Sequence, residues 1–245
     1  VRPRRATPSL LRRRVGIVCA LSLGAALGGC GGASSSAPST TQGTATSSTT
    51  TTVPPTTTTT TDPGTLPQTP VQPPSDPAAL AGRLAPLWAA ITTGDPAAGR
   101  PVFFPASAYL QLKTGILPAP AADYTGRLVA FYDLDTAAYH QAVSPTGAAA
   151  GGGGPALASV VADPTMAAWI PPGACENRFG YWHLPGVRLV YRSGGTERSV
   201  GVASLISWRG EWYVVHLGPN PRPADVGTVD APAVGPGTPG PAGGC

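Results

Sequence analysis

The chain has 245 residues, with 42% hydrophobic and only 11% charged side chains, 32 Gly and 30 Pro. Its formal charge is +4, but six of the sixteen basic residues precede position 15 and all twelve acidic ones lie at or beyond position 62. If the first 29 residues are removed, the remainder carries about −2, which argues against a nucleic-acid partner.

The chain opens VRPRRATPSLLRRR, followed by an apolar run from Val15 to Gly29. A basic head, a short apolar run and a small-residue end form the pattern of a secretory signal over 1–29. The run is shorter than the ~20 residues that a spanning helix needs. Leu27-Gly28-Gly29-Cys30 matches the bacterial lipobox, in which small residues admit a signal peptidase and the cysteine thiol takes a diacylglyceryl group. The expectation is a lipoprotein, acylated at Cys30 and held on the outer face of the cytoplasmic membrane. Two acyl chains are needed for stable retention, because one binds only marginally.

Residues 30–76 are expected to be a lipidated stalk without fixed structure. From 31 to 76, Thr, Ser, Pro and Gly fill 35 of 46 positions, too few apolar groups to offset the entropy of ordering. Such Thr/Ser/Pro segments also accept O-glycans. Composition changes at Pro77: all five Trp, seven Tyr and four Phe fall within 77–218. That segment is long enough to bury one core and is expected to fold by itself. The tail, 219–245, has 13 Pro or Gly in 27 residues and no aromatic residue, and is expected to be disordered.

Inside 77–218, Asp76 can cap a helix that Pro77 starts and Gly94 ends. Leu80, Leu84, Leu87, Trp88 and Ile91 share one face of it, and Pro86 is expected to kink it. Asp95-Pro96 starts a short second turn. VFFPASAYLQLK (102–113) reads as helical turn and loop because Pro105 interrupts it. A second helix over 121–143 carries Tyr124, Leu128, Phe131, Tyr132, Tyr139 and Val143 on one stripe. The glycine-rich 144–155 segment is a loop. The period then becomes two, with strands expected at 156–163, 178–184 and 187–192. Two further strands flank a tight Arg209-Gly210 turn. Both faces of the last strand are apolar, so it is expected in the interior of the sheet. The fold class is α+β, with N-terminal helices on a twisted antiparallel sheet and disordered flanks.

The order of elements, the ending WRGEWYVVHL and the segment ITTGDPAAGRPVFFPASAYL resemble the nuclear transport factor-like cone shared with ketosteroid isomerases. The Gly-rich loop and the PPGACENRFG insertion depart from that pattern. More narrowly, the chain resembles uncharacterised secreted lipoproteins of actinobacteria. The cone implies a cavity between helices and sheet, with Tyr132, Asp135, Tyr139 and His216 as the residues expected to face it. No catalytic motif of the family matches residue by residue, so no catalytic residue is assigned.

His140, His183 and His216 show no metal-ligand spacing, and no phosphate loop, dinucleotide fingerprint or Gly-x-Ser-x-Gly elbow occurs. No metal or other cofactor is expected. Cys19 leaves with the signal, so Cys175 and Cys245 remain as a candidate disulfide, with a free or intermolecular thiol as the alternative. Three functions stay open: an interaction module for cell-wall or envelope protein, a binder of an apolar ligand, and a small-molecule enzyme. Oligomeric state is left open.

Overall fold

The computed structural model describes residues 61–144, 154–222 and 225–239. The signal, Cys30, most of the stalk, Cys245 and most of the 144–155 loop lie outside these residues.

Helix α1 spans Pro77–Thr93, with the Asp76 carboxylate accepting from Ala79 N–H and Gly94 closing it at a φ of 71°. It passes Pro86 as one element, and its face of Leu80, Leu84, Leu87 and Ile91 is fully buried. A short 3₁₀ segment, Pro96–Val102, follows. The stretch expected as turn and loop is instead helix α2, Ala106–Lys113, because Pro105 stands at its N-cap rather than inside it. Just before it, Phe104 N–H donates to Val214 C=O at 3.0 Å.

The second long helix has three parts. Helix α3 is Pro120–Asp123, a wider π turn occupies Tyr124–Val129, and α4 runs Ala130–Val143. A π turn takes more residues per revolution than an α turn, so it rotates everything beyond it relative to everything before. Leu128, Tyr132, Tyr139 and Val143 of the expected stripe are nonetheless buried in one core, with Tyr124 packed against it.

The sheet is antiparallel. Its strands are β1 (Ala156–Val161), β2 (Ala168–Ile170), β3 (Tyr181–Ser193), β4 (Thr196–Trp208), β5 (Glu211–His216) and β6 (Ala233–Val234). The main order is β1-β3-β4-β5, with β2 beside the start of β3 and β6 beside the start of β4. The two strands expected over 178–192 are one. Pro185-Gly186 reads locally as a turn, yet Pro185 pairs with Ser204 and Val187 with Val202, while Gly186 takes a φ of 64°. Two-residue turns at Gly194-Gly195 and Arg209-Gly210 close the hairpins, and all four residues have positive φ, as such turns require.

Strand β5 is buried on both faces, with Trp212, Tyr213 and Val214 at 4% exposure or less. It is nonetheless an edge strand. The Phe103-Phe104 segment, rather than another strand, covers its free side through the bridge at Val214. Trp88 of α1 packs on Tyr191 of β3 with ring centroids 5.0 Å apart, which ties helix layer to sheet.

Both domain boundaries move outward. Residues 62–75, expected in the stalk, lie along the domain as a proline-rich strap. Three indole N–H groups hold its carbonyls: Trp208 on Pro63 at 3.1 Å, Trp182 on Pro70 at 2.9 Å and Trp212 on Pro74 at 2.9 Å. Gln68 donates to Ser207 C=O at 2.9 Å and accepts from Arg209 N–H at 2.7 Å. A segment too polar to fold by itself is ordered here because the domain supplies the donors that its carbonyls need.

The described part of the tail is likewise bound. Arg222 meets Asp135 at 2.6 Å with both side chains 1% exposed, and Gly235 N–H donates to Glu197 C=O at 2.9 Å beside β6. Gly227 allows the close approach: a Cβ there would stand 2.4 Å from Leu134 O on α4.

Candidate functional site

A cavity of about 610 Å³ opens between the second helix group and one end of the sheet. Its roof comes from α2, α3 and the π turn, through Tyr109, Leu112, Lys113, Asp123, Arg127 and Leu128. Its floor is Tyr181 and His183 of β3, Ser204 and Ile206 of β4, and Val215 and His216 of β5. Strand alternation explains the floor: residues two apart share a face, so Tyr181 with His183 and Ser204 with Ile206 look the same way. Cys175, Glu176, Asn177 and Asn220 form part of the rim.

The roof carries a tightly bonded trio. Arg127 donates to both oxygens of Asp123, from Nε at 2.8 Å and from Nη2 at 2.6 Å, four residues apart across the wider turn. Tyr109 donates its hydroxyl to Asp123 and accepts from Arg127 at 3.0 Å. Hydrogen bonding from Arg127 holds the Asp123 carboxyl below the usual carboxylate range. Burial, reinforced by the bond to Asp123, raises the Tyr109 phenol well above its ordinary value. Nearby, Lys113 Nζ donates to the carbonyls of Cys175 at 3.2 Å and Glu176 at 3.0 Å. Burial lowers its pKa.

The floor is different. His183 Nε2 lies 2.7 Å from Ser204 Oγ, and burial favours the neutral ring. His216 is pushed down to about 3 by burial and then by the charges of Arg127 and Arg222, so it is neutral at pH 7. Among the described residues, its buried Nδ1 has no hydrogen-bond partner. Asn177, 4% exposed, donates from Nδ2 to Tyr181 Oη at 3.1 Å, but its buried Oδ1 also has none. Burial pushes the Tyr181 phenol up to about 12.

Of the four residues expected at the cavity, His216 lines it. The other three are placed elsewhere. Tyr132 packs on Phe103 at 4.4 Å and donates to Pro96 C=O at 3.2 Å. Tyr139 donates to Gly201 C=O. Asp135 faces the tail, accepting from Arg222 Nη1 and Nη2 at 2.7 and 2.6 Å, from Thr228 N–H at 2.9 Å and from Gly218 N–H at 3.2 Å. All three lie on α4, beyond the π turn, and the resemblance that named them for the cavity does not hold for them.

Tyr109, Lys113, Asp123, Arg127, Asn177, His183 and Ser204 were not singled out for the cavity. The Asp123/Arg127 spacing is a legible side-chain pair on a helix, but nothing local says that it faces a cavity. Cys175 is disulfide-bonded, and the three other cysteines lie outside the described residues. Among the described residues, no three His, Cys, Asp or Glu side chains converge as a metal site.

No protein-family model, curated protein or solved structure matches this chain.

Proposed function

We propose that this chain is a cell-envelope lipoprotein whose folded domain binds a small molecule in the cavity between helices and sheet. The observation that carries the binding reading is the cavity itself, with Phe104, Leu112, Leu128 and Ile206 beside the polar side chains of Lys113, Asp123, Arg127 and His183. A volume of about 610 Å³ lies within the ~300–1,000 Å³ range of small-molecule sites. The nuclear transport factor-like cone is part of the proposal. Helices preceding a long antiparallel meander, and an open cavity between them, support it.

The envelope reading rests on the basic head, the apolar run and Leu27-Gly28-Gly29-Cys30. Cys30 takes the lipid, residues 31–61 serve as tether, and the domain is displayed on the outer face of the cytoplasmic membrane. Expression of Cys30→Ser followed by cell fractionation tests this. Loss of membrane retention and of acyl label is expected; unchanged retention would refute it.

The binding reading is tested by titrating the whole chain with N-phenyl-1-naphthylamine, a neutral dye that brightens in apolar sites. Saturable one-to-one brightening is expected, and Ile206→Trp, which narrows the cavity, should weaken it without altering the far-ultraviolet circular dichroism. No saturable signal, or one unchanged in Ile206→Trp, would refute it.

A second reading, hydrolysis of a bound ester, draws on the 2.7 Å contact between His183 Nε2 and Ser204 Oγ. A neutral imidazole at that distance can accept the serine proton as the hydroxyl attacks. Labelling of Ser204 by a fluorophosphonate, lost in His183→Ala, would favour catalysis over binding alone.

A further inference from the structure

Proline recurs every third residue along the strap, at Pro67, Pro70 and Pro73. Three residues complete one turn of a polyproline II helix, whose carbonyls find no partners within their own segment. Leu66 and Asp76 bracket the stretch with φ/ψ of −83°/151° and −67°/152°, close to polyproline II values. Residues 67–75 belong to no helix or strand. Their carbonyls are met from outside. Arg209 Nη1 donates to Pro67 C=O at 2.6 Å and, one turn on, Trp182 donates to Pro70 C=O at 2.9 Å. Trp212 takes Pro74, and Trp208 takes Pro63 nearer the start. These donors sit on β3, β4 and β5, which are neighbours in the sheet, and on the turn between the last two, so they form one track.

Carbonyl contacts alone would accept any proline-rich chain, but three positions make this strap particular. A Cβ at Gly64 would run into Ser107 Oγ and Ala108 N of α2, so a side chain has no room there. Gln68 meets Ser207 C=O with its donor and Arg209 N–H with its acceptor. Pro73 is buried, whereas Pro63, Pro67, Pro70 and Pro74 are exposed. The sequence that the track fits is therefore this chain's own. None of these contacts requires strap and track to belong to the same molecule.

We propose that the tryptophan track is a docking site for polyproline II chain, and that its second occupant is the strap of a neighbouring copy of this protein. In an isolated chain the track holds its own strap. Two chains side by side exchange straps, each track making the same bonds to the other's prolines, so the exchange sacrifices no contact. The competitor is the local strap, which its short connection to α1 keeps at high effective concentration. The proposal is independent of the cavity.

The test is fluorescence anisotropy on the whole chain with a labelled peptide of residues 62–76. The Gly64→Val/Gln68→Ala chain, whose own strap seats poorly, should bind it at least about tenfold more tightly than the wild-type chain, where the local strap competes. The same peptide bearing both substitutions, and decaproline, should bind that variant at least about tenfold more weakly. Sedimentation then identifies the source. Gly64→Val/Gln68→Ala keeps the track and Trp182→Phe/Trp212→Phe keeps the strap, so their mixture should form a one-to-one complex that neither forms alone. No binding of the 62–76 peptide to the strap variant would overturn the proposal outright. Equal binding of decaproline would overturn the second copy as occupant, in favour of proline-rich chain in general. Peptide binding without the mixed complex would overturn it too. If either variant does not fold, an otherwise wild-type chain carrying benzophenone at Val71, which lies beside Gly210, decides. Irradiation should give covalent dimers that free 62–76 peptide suppresses; crosslinks within single chains only, or dimers that the peptide leaves unchanged, would overturn the proposal.

Discussion

Two buried polar clusters lie on either side of the π turn and are finished differently. Beyond the turn, the Asp135 carboxylate accepts four hydrogen bonds, from both terminal nitrogens of Arg222 and from the N–H groups of Gly218 and Thr228. The guanidinium also stacks 4.1 Å above the Phe131 ring. Before it, at the cavity, Asn177 Oδ1 and His216 Nδ1 have no partner among the described residues. The first cluster holds chain segments together, although Arg222 Nε is itself buried without a partner among the described residues; the second adjoins a cavity. Burial and residue type alone would rank the buried Asp135–Arg222 pair as the better functional candidate. The cavity beside the second cluster reverses the order.

The largest effect should come from cutting away what saturates the first cluster. The 77–218 fragment lacks Arg222, the bound tail and the strap that three tryptophans hold. It leaves Asp135 buried without its counter-ion, which costs ~3–5 kcal/mol, and removes three indole hydrogen bonds at ~1 kcal/mol each. Its urea midpoint should therefore fall by an amount equivalent to more than ~5 kcal/mol, or it should not fold. A fragment as stable as the whole chain would show that strap and tail are passive.

Asp135→Asn isolates one part of that loss. It leaves Arg222 buried with its charge unpaired and should cost ~3–5 kcal/mol in chemical denaturation. A change within ~0.5 kcal/mol, the surface range, would mean that the tail does not depend on this pair.

The cavity should respond more to pH than to truncation. Folded His216 titrates near 3 instead of 6.5, so the unfolded chain binds a proton that the folded chain refuses. Stability from this group is complete above the unfolded value and is lost as pH falls from 6.5 toward 3, by at most about 1.4 kcal/mol per pH unit. Comparing His216→Phe with the wild-type chain separates this slope from that of the carboxylates. The variant should lose less stability over that window, and identical slopes would mean that His216 is not kept neutral by the fold.

The smallest effect belongs to the open site. Asn177→Leu removes an acceptor without a partner together with the Nδ2 bond to Tyr181 Oη, so the net loss of stability should stay below about 1.5 kcal/mol. A loss on the scale of Asp135→Asn would mark Asn177 as a structural group like the other cluster.

The elements themselves were largely legible. Asp76, Gly94 and the leucine face mark α1, and Arg209-Gly210 marks the last hairpin, because each carries its reason within a few residues. Three things were not. Pro185-Gly186 has the chemistry of a turn but lies within one strand, since pairing along β4 overrides the local preference. The strap and tail have the composition of disordered chain, and their order depends on indole and guanidinium donors distant in sequence. The resemblance named four residues for a cavity, and of these only His216 lines the one between helices and sheet; the other three lie on α4, beyond a π turn that no spacing rule announces.

The most direct test is a crystal structure of the whole chain soaked with N-phenyl-1-naphthylamine. The dye should occupy the cavity among Leu112, Leu128 and Ile206, while the four bonds to Asp135 stay unchanged. Dye bound elsewhere or not at all would contradict the distinction between a cluster that holds the fold and a cavity that takes a ligand.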